Sequence, residues 1–310
     1  MTKTIAIVGA TGLQGGSVVK ALYGTGEYSI RALTRNPESA SSKALKEKYP
    51  KIELVQTDID NFDSLCKAFK GADVVFGMTQ FFQKEIMAKI EAGDLDAEFN
   101  QGKAIVDAAI AEGVSSLIYS SLDSMKKNSN GKYPGVLHFE GKHRVQEYLL
   151  SKSDKIRGYI VYVGFYMENY IDFARISQAD NSTIEFSFPL DATAQVPLVD
   201  TANDVGGVVK YVLDNPEECL GKVVEVSGGY YEAQEMVKAF IEVTGKSARY
   251  VQIPCEYLNS DELTQMFKGI QEFGLFGGRT DFIDRNKRID HKFTTPVEFW
   301  KNRGWTGPSQ

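Results

Sequence analysis

A chain of 310 residues, 43% hydrophobic and 25% charged, has the make-up of a globular protein with room for a large core. Its net charge of −6 provides no basic field for a phosphate backbone, so direct nucleic-acid binding is not expected, and no apolar run is long enough to cross a bilayer. Cys66, Cys219 and Cys255 lie far apart, and His143 and His291 have no ligand-spaced partners. We therefore expect no metal site and no disulfide framework, and a cytoplasmic protein that enters its first strand without a signal peptide.

The apolar stretch Thr4–Val8 reads as a buried strand. It is followed by glycines at positions 9, 12 and 15 and then by a helix through Leu22. Strand, tight turn and helix in that order place backbone N–H groups and the positive end of a helix dipole on a diphosphate. Gly9 permits the turn, Gly12 lets backbone approach the phosphates and Gly15 lets helix and strand pack closely. Thr11, Leu13 and Gln14 complete the candidate diphosphate loop. A second strand, Tyr28–Thr34, ends at Arg35, where NAD enzymes usually carry an acid for the ribose 2′-hydroxyl. An arginine there suits a 2′-phosphate and points to NADP(H).

A helix over 38–48, a strand Ile52–Gln56, a helix over 62–70 and a strand Val74–Met78 continue the alternation. Asp58 follows the third strand, and Asp60 or Asn61 suits the cap of the helix over 62–70. Thr79, closing the fourth strand, is a candidate contact of the ribose. Phe81 and Phe82 suit either a pocket wall or the core. A helix from about Asp94 to Glu112 leads to a fifth strand, Ser116–Ser121. Residues 122–137, rich in Asn, Ser, Lys and Gly, read as a mobile loop. A helix then opens at His138, and a very apolar sixth strand, Ile156–Val163, follows. Later segments are shorter. They read as strands at Thr183–Phe188, Gln195–Val199 and Val223–Ser227, with helices at Asn203–Leu213, Glu232–Val243 and Pro296–Asn302. The expected fold is α/β: a Rossmann-type doubly wound parallel sheet in residues 1–165, completed by later segments, and a smaller α+β lobe in 166–310.

The runs GATGLQGG, TRNP, HFEGK and GFYMEN, with the stretch from Glu98 through Gln101, Gly102 and Lys103, are similar to those of the NmrA-like group of atypical short-chain dehydrogenase/reductases. That group includes NADP(H)-binding regulators and sensors as well as reductases. The resemblance implies NADP(H) as cofactor, with Asp58 a candidate contact near the adenine and Phe165, Tyr166 and Asn169 near the cofactor. In the wider superfamily a serine orients the carbonyl, a tyrosine moves the proton, and a lysine lowers its pKa and holds the nicotinamide ribose. Here Ser120 and Ser121 stand at the serine position and Lys142 at the lysine position, and His138 replaces the tyrosine. Tyr133 and Tyr166 are substitute donors. Loss of the tyrosine puts a sensor or regulator first, acting through a protein partner, with a homodimer and a nuclear location open to it. The retained Lys142 keeps an NADPH-dependent reductase of a small carbonyl compound as the alternative.

Overall fold

The computed structural model describes residues 2–308. The chain forms two compact units that interleave along the sequence. One comprises Met1–Leu122, Leu137–Tyr162 and Val205–Val224, and the other comprises Asp123–Val136, Val163–Asp204 and Glu225–Gln310.

In the first unit, strands and helices alternate in chain order. They are β1 (Lys3–Ile7), α1 (Leu13–Leu22), β2 (Tyr28–Thr34), α2 (Ala40–Lys48), β3 (Glu53–Gln56), α3 (Phe62–Phe69), β4 (Val74–Gly77), α4 (Lys84–Glu91), α5 (Ala97–Ala111) and β5 (Ser116–Ser121). After α6 (Met125–Asn128), which belongs to the second unit, come α7 (Leu137–Leu150) and β6 (Arg157–Val163). The main sheet runs β11–β6–β5–β4–β1–β2–β3, its last member being β11 (Val223–Val226). The pairs from β6 across to β3 are parallel, with Ile5 opposite both Ile30 and Val74. Every residue of β4 is buried, as expected of a strand covered on both faces. Strand order reverses at β1, so the loop after β1 lies at the topological switch point where such sheets bind ligands.

Close packing fixes α1. A Cβ on Gly15 would lie 2.3 Å from the Gly9 carbonyl oxygen, so only glycine lets this helix start so near the strand. On α9 (Thr201–Asp214), Gly206 donates its N–H to Ser17 Oγ at 2.9 Å, and a Cβ there would meet the Ser17 carbonyl oxygen at 2.0 Å. Gly206→Ala should therefore force these helices apart and cost about 1–3 kcal/mol, the usual range for overpacking. Chemical denaturation would show this as a lower midpoint with an unchanged slope.

The second unit contains β7 (Phe165–Tyr166), α8 (Asn169–Asp172), β8 (Ala174–Ile176), β9 (Ile184–Phe188) and β10 (Gln195–Val199). It continues with α10 (Pro216–Cys219, in a segment of the first unit), β12 (Tyr230–Glu232), α11 (Glu235–Thr244), β13 (Ala248–Gln252), α12 (Asp261–Phe273), α13 (Phe282–Asn286) and α14 (Pro296–Arg303). Two small mixed sheets, β12–β10–β7 and β13–β9–β8, carry this C-terminal lobe. Trp300 packs into the core of this lobe: it is 1% exposed, lies against Phe186, Phe240 and Trp305, and donates its indole N–H to the Met236 carbonyl at 2.7 Å. A Thr295–Glu298 capping box starts its helix.

The segment expected as a mobile loop contains more structure than its composition suggests. Ser124 caps α6, and Met125, Tyr133 and Val136 are buried. The Tyr133 hydroxyl donates to Glu272, which occupies the group the sequence offered as a proton donor. Helices α4 and α12 and strand β13 are elements the sequence reading did not anticipate.

Candidate functional site

The turn after β1 has the backbone that its glycines demand. Gly9 sits at φ +68°, a conformation side chains rarely adopt, and the Gly12 N–H donates to the Gly9 carbonyl at 2.9 Å. Gly12 then caps α1 without any side-chain hydrogen bond, whereas Ser39 and Asn61 supply such an acceptor to α2 and α3. No acidic side chain stands in the first turn of α1. This ten-residue helix thus begins with its positive end uncapped, at an exposed glycine and beside an exposed Leu13, which is an arrangement suited to an anion. Gln14 turns its side chain inward to accept from Ser120 Oγ at 2.7 Å, tying the loop to the end of β5.

Beyond β2 and β3 an open cleft of about 590 Å³ is lined by Arg35, Gln56, Asp58, Ile59, Asp60, Ser64, Gln83 and Glu85. Its size suits part of a nucleotide. Arg35, with 65% of its side chain exposed, has the freedom to reach an anion in the cleft. The Asp58 carboxylate accepts from the Asp60 N–H at 3.0 Å, and the Asp58 N–H donates to Ser64 Oγ at 3.0 Å. The residue proposed to lie near an adenine therefore also shapes its own turn.

The third group is buried. The Lys142 ammonium pairs with Glu98, whose side chain is only 2% exposed against 13% for the lysine. Thr79 donates its hydroxyl to the same Glu98 oxygen at 2.9 Å, and Tyr119 OH lies 3.1 Å from Thr79 Oγ. With Thr79 donating to the carboxylate, Tyr119 donates to Thr79. Burial, reinforced by the Glu98 charge, holds the Tyr119 phenol protonated. Two glycines allow this arrangement. A Cβ on Gly102 would meet Val145 at 2.4 Å, and one on Gly141 would meet Glu98 Oε2 at 2.8 Å, so α5 and α7 approach through bare backbone. Gly102 and Gly141 belong to the two motifs that carry Glu98 and Lys142. The partnership of Glu98 with Lys142 was not read from the sequence.

The remaining predicted residues have clear places. Ser121 donates to the Lys142 carbonyl at 3.1 Å and so braces α7 itself. His138 opens α7 in an aromatic setting, with ring centroids 4.6 Å from Phe139, 5.2 Å from Phe82 and 5.7 Å from Phe81. Phe82 stays 52% exposed, whereas Phe81 is core.

In the second unit Phe165 is buried, and Tyr166 and Asn169 are partly exposed. The acid between them, Glu168, accepts from the N–H groups of Thr201 and Ala202, both at 3.2 Å, and from Arg303 at 2.6 Å. It caps the start of α9, and burial pushes its carboxyl above the ordinary range. Among the described residues no group of three or more His, Cys, Asp or Glu is placed to hold a metal, and no helix is long and apolar enough to cross a membrane.

A model of the NmrA-like family matches residues 1–307. The NmrA-like family domain-containing oxidoreductase cpsB of Aspergillus campestris is 34% identical over 261 residues, covering 80% of this chain and 74% of that protein. Among solved structures, the negative transcriptional regulator NmrA in complex with NADP superposes with a TM-score of 0.76 at 22% identity, covering 96% of this chain and 94% of that one. An NADPH-dependent quinone oxidoreductase of Escherichia coli, complexed with NADPH, gives a TM-score of 0.71 at 21% identity over 97% of this chain and 100% of that one.

Proposed function

Because the chain belongs to the NmrA-like family, we propose that it is an NADPH-dependent reductase of a carbonyl or related small compound. The sequence alone puts a sensor first, on the missing tyrosine. Relatives that carry the name oxidoreductase reverse that order. The observation that carries the reading in this chain is the buried Lys142–Glu98 pair at the position of the superfamily lysine. A buried ion pair is weak evidence for stability, because two apolar side chains would serve as well. Its position beside the end of β4 and the start of α7 favours a chemical use.

The residues fit a dinucleotide: an uncapped helix start for the diphosphate, Arg35 in a cleft of nucleotide size, and a lysine able to hold ribose hydroxyls. When bound, the nicotinamide supplies the hydride. Lys142 holds the ribose and delivers the proton taken up by the substrate oxygen, and Glu98 fixes the ammonium in place. His138, whose ring lies near those of Phe82 and Phe139, would assist that proton and, with its aromatic neighbours, bound the substrate.

The test is NADPH consumption across ketones, aldehydes and quinones, beside calorimetry with the four nicotinamide nucleotides. Turnover of at least one class is expected. NADPH binding with no turnover anywhere would overturn the reductase and restore the sensor. In the same calorimetry, Arg35→Ala should weaken NADP(H) by about ten-fold or more and leave NAD(H) nearly unchanged, since a charged hydrogen bond contributes about 1.5–3 kcal/mol. Equal losses for both would remove Arg35 from the 2′ position.

A further inference from the structure

The cleft that holds Arg35 is more acidic than a 2′-phosphate site needs to be. One of its lining side chains is cationic and three are acidic: Asp58, Asp60 and Glu85. Two of these acids are committed to the protein. Asp58 closes its own turn, and Asp60 Oδ1 accepts from Gln101 Nε2 at 3.1 Å and lies 3.4 Å from Lys89. Glu85 is placed differently. It stands on the first turn of α4 with 58% of its side chain exposed, and its Oε2 lies 3.9 Å from Arg35 Nη1. Its helix is anchored next door by Ile86, which is fully buried against Phe81 and Ala97. The carboxylate is therefore carried on a packed element, at a helix start that favours a negative charge.

We propose that Glu85 is a specificity-determining residue of the nucleotide site and works against Arg35. Its carboxylate shares the guanidinium that a 2′-phosphate requires and repels that phosphate. Toward an unphosphorylated ribose it offers the acceptor that dinucleotide sites ordinarily place at the end of the second strand. This chain has Arg35 at that strand end, and α4 brings an acid to the same cleft. The inference rests on the reading of the cleft as part of the nucleotide site. It implies that NAD(H) binds closer in affinity to NADP(H) than Arg35 alone would allow.

The test is calorimetry of Glu85→Gln with NADPH and NADH, beside the Arg35→Ala and Gly12→Val proteins. Removing one unit charge about 4 Å from the guanidinium should tighten NADPH by about three- to ten-fold, with the gain shrinking as salt is raised. NADH should stay the same or weaken. In the Arg35→Ala background the gain should be smaller, because part of it acts through the arginine. Parallel changes for both nucleotides would mean that Glu85 only supports α4, and a ratio within two-fold of wild type would mean that it has no role; either overturns the proposal while leaving the site intact. If Gly12→Val and Arg35→Ala also bind both nucleotides normally, the nucleotide reading itself is wrong and the proposal goes with it.

Discussion

Gly12→Val should abolish nucleotide binding and leave the fold standing. At φ −91° this position lies in a region open to L residues, and beyond its chain neighbours a Cβ there meets the Gly9 carbonyl oxygen at 3.3 Å, a tight contact that a shift of a few tenths of an ångström would ease. The rest of a valine projects from an exposed backbone, where an anion would seat at the helix start. Losing two charged hydrogen bonds at about 1.5–3 kcal/mol each corresponds to a loss of about a hundred-fold or more. Calorimetry should show no heat with NADPH at concentrations that saturate the wild type, and the thermal midpoint should move by only a few degrees. A valine protein that binds normally would show that the glycine turn holds no diphosphate. Gly15→Ala should behave in the opposite way and lose stability first, since its Cβ would strike backbone at 2.3 Å.

Lys142→Met carries the second large effect, and the structure changes how the variant must be made. Removing the ammonium leaves Glu98 buried and unpaired, which costs about 3–5 kcal/mol of stability and could by itself silence the protein. Lys142→Met combined with Glu98→Gln removes both charges and should fold. If the protein is a reductase, the double variant should lose kcat at saturating NADPH by about 10²–10⁴-fold, the usual contribution of a positioned proton donor. The Kd for NADPH should rise only modestly. His138→Ala should give a smaller loss. A double variant that turns substrate over at wild-type rate would take Lys142 out of the chemistry.

The first unit was largely legible in the sequence, because each strand contains a short apolar run too brief for a helix and each glycine of the opening turn has a distinct steric role. Helix α4 was missed because Gln83 is a poor N-cap and makes no side-chain hydrogen bond to the helix start, whereas Asn61 and Thr295 cap the equally short α3 and α14. Helix α12 had its signal in plain view: Ser260 caps it and Asp261 and Glu262 follow, but they lie in a region with no alternating strands to frame it.

At the site, Ser120 and Ser121 were read as one slot. Adjacent strand residues point to opposite faces, so one serine meets Gln14 and the other meets α7. The Glu98–Lys142 pair spans 44 positions and depends on how two helices cross, which periodicity does not encode. Glu168 was part of a signature read for its flanking residues, and in the fold its carboxylate is committed to the start of α9.

The four buried groups Tyr119, Thr79, Glu98 and Lys142 have a direction. The tyrosine end is fully enclosed and the threonine and glutamate nearly so, leaving the lysine as the member of this set with appreciable contact with water. The row is a cul-de-sac, with one mouth and a closed far end. A molecule seated over that ammonium would cover the member of the set that meets water most.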